Sequence, residues 1–527
     1  MRQKTVLLMT SVFFYASALW AQAPTGADFS WQPEAKKSAV MMDYNFLTGN
    51  ENLFYYFQRP YPRSGQNDYI VKYDAASNTT TYLPLKLKTE GVKRDWRLVK
   101  AYNDTIYIFS SFDNKKQNKY YFFVESVDMN KFALNNNPRM IAEADYNDVK
   151  GVKGSDFDLW SSDDGKHFVV SYTLQTKDGS ILRYGFRVLD AQFNEVWKFE
   201  DDIPKVQGKW FLNAYKIDQN ANVYMISRSY DDPKDADKHF ERSKLYVKLI
   251  SKDGIKSADQ ELSLSGDKFI TAQSFVVNPN NELVCAGLYA KKGNESAVGN
   301  FSIVLNAGQT SVKNTDSRDF DKAFFTKGMD EDAAQDMEEK VDKGKDFESD
   351  FYYAFDNPLL RSDGGLSYII QKRKLKIQTV YRGQPGTQGS SISYLYNFYY
   401  DDIIVLTYDA NGKIRWVQKI PQSQRLINGA EFYGGYVENT DADDRMNFIY
   451  NLTSNATALA QGSVKKTVCL SLDKDGKESY VELSTGDDGK NFAPLLSRYL
   501  GNRKFLAGNV TLKFFIGRLK WGVMNLR

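Results

Sequence analysis

The chain has 527 residues, a formal charge of +3, 14% aromatic residues, and only two cysteines and two histidines. Near-neutral charge excludes the basic field that nucleic-acid phosphates require, and two cysteines exclude a disulfide framework. His167 and His239 have no cysteine near them in sequence, so no zinc-site spacing exists, and neither a metal nor a cofactor is expected.

At the N-terminus, Arg2 and Lys4 precede the uncharged stretch 6–20 and the small-residue exit AQAP. That is the layout of a secretory signal peptide, residues 1–21, cut after Ala21. Its apolar run is shorter than the about 20 residues of a spanning helix, and no cysteine at the cut offers a lipid anchor. Removing 1–21 takes two basic residues and leaves a charge of +1. The C-terminal stretch 505–525 is broken by Lys513, Arg518 and Lys520, so no membrane span is expected. These features predict export to the periplasm or beyond as a soluble monomer.

One unit then recurs, which marks a repeat architecture. A polar Asn/Asp/Gly turn opens an alternating apolar strand at 101–112, 162–173, 218–229, 278–289 and 361–372, with looser copies at 49–58, 441–452 and 500–510. After each comes a second element: an apolar strand, a short turn and another strand. Its turn residues are Asp74, Asp128, Asp190, Ser251, Asn306, Asp409 and Asp473, spaced 54 to 64 apart except for a fifth gap of 103. A period near 60 with about four strands fits one blade of a β-propeller, a sheet whose two faces are covered by its neighbours. Asn411-Gly412 and the Asp-Gly pairs at 164–165, 253–254 and 475–476 suit tight hairpins. The strand 403–408, IIVLTY, is apolar on both faces, as burial between two blades demands.

The expectation is an all-β, single-domain β-propeller over 22–527, with seven four-stranded blades and eight as the alternative. The stretch 505–521 forms one more compact unit, which an N-terminal strand could complete. Two β-sandwiches are the competing architecture, disfavoured by the regular spacing and the absence of a linker. Cys285 and Cys469 lie in apolar strands and read as buried small hydrophobes; a bridge between them stays open.

Two insertions are expected. Residues 316–357 explain the long gap, and Ala333, Met337 and Val341 at i, i+4, i+8 predict a short amphipathic helix there. It reads as a solvated helix packed on one side, with a docking element as the functional alternative. Residues 381–402 carry a Gly/Ser loop into Tyr394, Tyr396, Phe398 and Tyr400, which alternate onto one face. That face reads as core, or as a platform for a sugar ligand, because aromatic rings offer flat apolar faces with polar rims.

The octapeptides SSDDGKHF (161–168) and TGDDGKNF (485–492) resemble the Asp-box hairpin of sialidases and other propeller proteins. The resemblance covers 16 residues and implies structural turns only. In it Asp163 and Asp487 bond turn amides, and Gly165 and Gly489 supply the bend. The sialidase arginine motif is absent. So are a Gly-x-Ser-x-Gly elbow and a phosphate loop. Asp473, Asp475 and Glu478 have a faint calcium-loop rhythm without the full ligand spacing, and read as a hairpin.

The Tyr/Asn-rich composition and the AQ exit resemble exported propellers of Bacteroidetes-type bacteria. The function expected is a non-catalytic binding or scaffold propeller of the cell envelope, with a protein or glycan as partner. The alternative is a polysaccharide-acting enzyme, glycosidase or lyase, with a carboxylate pair at the channel mouth. A quinone-dependent dehydrogenase is disfavoured, since its repeated Trp-docking signature is not evident.

Overall fold

The computed structural model describes residues 23–33, 42–60, 67–89, 91–147, 157–175, 181–202, 209–232, 234–235, 242–293, 296–345, 351–382, 391–427, 431–453, 464–485, 492–513 and 516–527. The segment 1–21 and both Asp487 and Gly489 lie outside them.

The described strands form eight antiparallel sheets of four or five strands, and Lys88–Thr89 pairs Val92–Lys93 in a two-stranded ribbon. Blade 1 runs from axis to rim as Met42–Gly49, Leu53–Pro60, Tyr69–Asp74 and Thr79–Pro84. Blades 2 to 7 repeat this meander, with inner strands Asp95–Tyr102, Phe157–Ser161, Lys209–Ile217, Lys268–Val277, Tyr352–Phe355 and Tyr436–Thr440. Inner strands of most neighbouring blades touch one another, as Met42–Gly49 touches Asp95–Tyr102 and Phe157–Ser161 touches Lys209–Ile217, which places them at the axis. Blade 2 has its outer strand broken into Ala133–Leu134 and Arg139–Asp145, both paired with Lys119–Asp128.

Blade 8 differs in connectivity. Arg498–Gly501, Lys504–Lys513 and Ile516–Leu526 come from the C-terminus, and its rim strand is Ala27–Trp31. Ala27 pairs Leu526 and Trp31 pairs Gly522, so the two ends of the chain close the ring. Eight blades replace the expected seven, and the cause is visible in the ruler. Each of the seven turn residues joins the third and fourth strands of a blade. In blade 8 those strands lie at opposite ends of the chain, so no turn exists to be counted.

Eight apolar clusters fill the eight interfaces between neighbouring blades. Blades 1 and 2 share Tyr55, Phe57 and Ile70 with Val99 and Ile108; blades 8 and 1 share Leu506 and Trp521 with Phe54 and Tyr73. Strand 403–408 shows the two-sided burial directly. Ile404 and Leu406 pack towards blade 5, while Ile403 and Val405 pack towards blade 7. Cys285 lies in the interface of blades 4 and 5, and Cys469 in that of blades 7 and 8; both are free thiols.

In a meander, the first-to-second and third-to-fourth turns fall at one end of the sheet. The short polar turns of the repeat, first-to-second and third-to-fourth, therefore gather on one face of the ring. Most of the ruler residues cap their own turns. Asp409 Oδ1 accepts from the amides of Asn411 (2.8 Å) and Lys413 (2.9 Å), and Asp74, Asp128, Asp190 and Asp473 do the same. Gly165, Gly254, Gly412 and Gly476 take φ of +70° to +82°, which suits these turns. The opposite face carries the longer connections.

The described parts of 316–357 and 381–402 beyond the strands of the ring lie towards that longer-loop face. Val312–Asp319 is the rim strand of blade 5 and Tyr352–Phe355 the inner strand of blade 6, so the first insertion is the connection between them. It holds the helices Lys322–Thr326 and Glu331–Asp342, the latter capped by Asp330. Ala334, Met337 and Val341 are half-buried, while Ala333 is exposed. Of residues 381–402 the described ones, 381–382 and 391–402, belong to a long hairpin of blade 6, Leu366–Arg382 against Ser391–Tyr408. No helix among the described residues is long and apolar enough to cross a membrane.

Candidate functional site

Blade 6 builds most of the candidate surface. Its second and third strands have 17 and 18 residues, against 6 to 11 in the other blades. They run past the body of the ring as a ribbon on the longer-loop face. Side chains alternate across it, so Tyr394, Tyr396 and Phe398 share one face with their register neighbours Thr379, Ile377 and Leu375. The structure splits the four expected aromatics. Tyr400 is buried, and Phe398 packs on the same cluster, so these two are core. Tyr394 is exposed, as are Leu375 and Ile377, at 55%, 48% and 54%. Three large apolar groups in a row on one ribbon face are uncommon on a protein surface. Lys374 and Lys376 lie on the opposite face.

At the root of the ribbon lies a cavity of about 460 Å³. Blade 6 contributes Lys372, Asp401, Asp402 and Lys419; Gly328, Met329 and Met337 of the insertion form the opposite wall. Lys419 is 4% exposed, and its ammonium donates to the Phe325 carbonyl (2.7 Å), tying the insertion to the blade. Lys419 Nζ stands 3.7 Å from Asp402 Oδ2, and Lys372 Nζ stands 3.7 Å from Asp401 and 3.9 Å from Asp402. Burial pushes the Asp402 carboxyl up, while the two ammonium groups pull it down.

A second charged group lies between the inner strands of blades 6 and 7. Asp356 follows Tyr352–Phe355, and its Oδ2 accepts from the Tyr436 hydroxyl. Glu438 lies on the same side of its strand as Tyr436. Burial raises the Glu438 carboxyl to about 7, and the Asp356 charge adds to this, against the Arg498 guanidinium. Burial also raises Asp356, against its bond to Tyr436 and the charges of Arg373 and Arg498. A carboxyl that holds its proton near neutral pH can donate it, which is the requirement for a general acid.

On the tight-turn face, the Asp-box-like segment is a hairpin with other roles than expected. Its turn is capped by Asp164, which accepts from the Lys166 amide (3.1 Å) and the Ser162 hydroxyl (2.6 Å). Asp163 points away: its Oδ2 accepts from the Val277 amide of blade 5 (2.7 Å), and its Oδ1 meets Lys216 of blade 4 (3.3 Å). Asp163 thus ties three blades together beside a cavity of about 490 Å³ at that mouth of the channel. Gly165 takes a φ of +70° in this turn.

Sequence reasoning missed Asp356, Glu438 and the Lys372–Asp401–Asp402–Lys419 group. Only Asp401-Asp402 and the basic run around Lys372 stand out locally; Lys372 and Lys419 reach the aspartates through strand register within blade 6, and Asp356 and Glu438 are brought together by blade stacking. Among the described residues no group of three metal-ligating side chains converges.

No family model matches the chain, and no curated relative matches it. Solved structures are similar in fold only. The β-propeller domain of the Trilobed protease from Pyrococcus furiosus is 10% identical, over 86% of this chain and 98% of that one, with a TM-score of 0.33. The Dos1 propeller is 9% identical over 94% and 95%, with a TM-score of 0.40. Polysaccharide lyase Uly1 is 8% identical over 95% and 92%, with a TM-score of 0.38. Likenesses of this size carry neither activity nor ligand over to this chain.

Proposed function

We propose that this chain is a non-catalytic binding propeller, exported to the bacterial cell envelope and acting as a monomer, whose longer-loop face takes a protein or glycan partner. The exposed apolar row of Leu375, Ile377 and Tyr394 on the blade 6 ribbon carries this reading. Such a row on a rigid sheet suits a binding surface, because it desolvates without ordering a loop. The signal-peptide pattern of residues 1–21 supports export. The test is a pull-down from envelope extract with the full chain and with a Leu375→Ser/Ile377→Ser variant. Both positions are exposed, so the fold tolerates the change. A partner captured by the native chain and lost by the variant supports the reading; equal capture by both overturns it.

The Asp356–Tyr436–Glu438 group favours a second reading, a polysaccharide-acting enzyme with Glu438 as proton donor. Product release from a polysaccharide that is abolished by Glu438→Gln would establish it in place of the first.

A further inference from the structure

We infer that the cavity beneath the helical insertion is a binding site for an uncharged, polyhydroxylated ligand, a neutral mono- or disaccharide unit. This does not rest on the ribbon reading. The volume of about 460 Å³ is that of a small-molecule site. Its lining brings three ammonium groups, Lys327, Lys372 and Lys419, together with the carboxylates of Asp401 and Asp402; Lys327 is paired with Glu478 behind the wall, so the charges balance. An ionic ligand would leave one sign uncompensated in a partly desolvated space, which is costly.

The distances specify the group that fits. The Lys372–Asp401, Lys372–Asp402 and Lys419–Asp402 contacts are 3.7, 3.9 and 3.7 Å, ion pairs too long to be direct hydrogen bonds. A hydroxyl seated beside such a pair accepts from the ammonium and donates to the carboxylate at once. Water can do this at one place; a sugar presents several hydroxyls on one rigid ring.

The walls are held in place. Gln424 is 2% exposed, donates to the Asn451 carbonyl (2.6 Å) and accepts from the Gly435 amide (2.9 Å). Phe351 supplies an aromatic ring, with the Lys372 and Lys374 ammonium groups each 5.4 Å from its centroid. A flat ring beside fixed polar groups matches the apolar and polar sides of a pyranose.

The experiment titrates the full chain calorimetrically with glucose, galactose, N-acetylglucosamine and cellobiose. Glucuronate and glucosamine serve as charged counterparts, and thermal unfolding is followed in parallel. The expected result is saturable binding of at least one neutral sugar, with a raised unfolding midpoint. Affinity should weaken at least tenfold in Asp401→Asn. It should be lost in Met337→Trp, which fills the cavity from the insertion side and keeps the test sound if the first variant misfolds. Absence of binding by every neutral sugar, equal binding of the charged ones, or unchanged affinity in both variants overturns the inference. The Leu375→Ser/Ile377→Ser variant should bind sugar normally, which separates failure here from failure of the ribbon reading.

Discussion

Ring closure by the N-terminal strand can be tested with one covalent bond. Ser30 and Val523 are register partners at the seam. Directly opposed residues of an antiparallel pair have Cα atoms about 4.5–5.5 Å apart, within the roughly 4.4–6.8 Å that a disulfide spans. Cysteine at both positions would close a loop of nearly the whole chain. The loop-entropy relation gives about 6 kcal/mol for such a loop, and engineered bonds fall short of it, so about 2–5 kcal/mol is expected. The native thiols will not compete: Cys285 and Cys469 are buried, and burial pushes both thiols up, Cys469 to about 12. The assay is urea unfolding of Ser30→Cys/Val523→Cys with and without reductant, with the bond located by peptide mapping. Ser30→Cys/Asn525→Cys, out of register by two residues, is the control. Failure of the in-register pair to oxidise, or equal oxidation of the control, would refute the seam.

Three further outcomes follow from named contacts. Arg94 and Glu125 form a buried ion pair at 2.7 Å, each side chain 1% exposed, so Arg94→Met should cost about 3–5 kcal/mol in urea unfolding by stranding a buried carboxylate. Arg94→Met/Glu125→Leu should recover much of that loss. Asp163→Ala leaves the Val277 amide without its acceptor and should cost about 1–3 kcal/mol, whereas a mere turn residue at that position would cost less. Glu438 has its folded-state pKa raised from an ordinary 4.5 to about 7. Its contribution to stability is therefore fully present below about pH 4.5 and is lost as pH rises through 7, by up to about 3 kcal/mol. Glu438→Gln should remove that part of the slope between pH 5 and 7; an unchanged profile would contradict the shift.

Local chemistry made the blades legible. Asp74, Asp128, Asp190, Asp409 and Asp473 announce their turns because the side chain that favours a turn is also the one that caps it. Two-sided burial of Ile403 to Leu406 was equally plain, since an apolar run without alternation fits a strand between two sheets. The helix Glu331–Asp342 followed from its periodicity. The eighth blade was obscured because its rim strand comes from the other end of the chain. The same reason hid the candidate sites. Asp356 and Glu438 meet only because blade 6 lies against blade 7, and Lys372 and Lys419 meet Asp402 only through strand register. Asp163 was assigned to its own turn because spacing cannot say which of two adjacent aspartates turns inward; Asp164 does, and Asp163 reaches across the ring. Tyr394, Tyr396 and Phe398 alternate onto one face of the ribbon. The burial of Tyr400 and the exposure of Tyr394 depend on where the ribbon leaves the body of the sheet, which periodicity does not mark.

The central claim is that this propeller binds without turning over. It is tested most directly by exposing the purified chain to a polysaccharide array and assaying reducing-end release on every hit, in parallel with Glu438→Gln. The account predicts no release from any polysaccharide, bound or not, and the same binding profile for both proteins. Release by the native chain that Glu438→Gln abolishes would contradict it and establish the carboxylates between blades 6 and 7 as an active site.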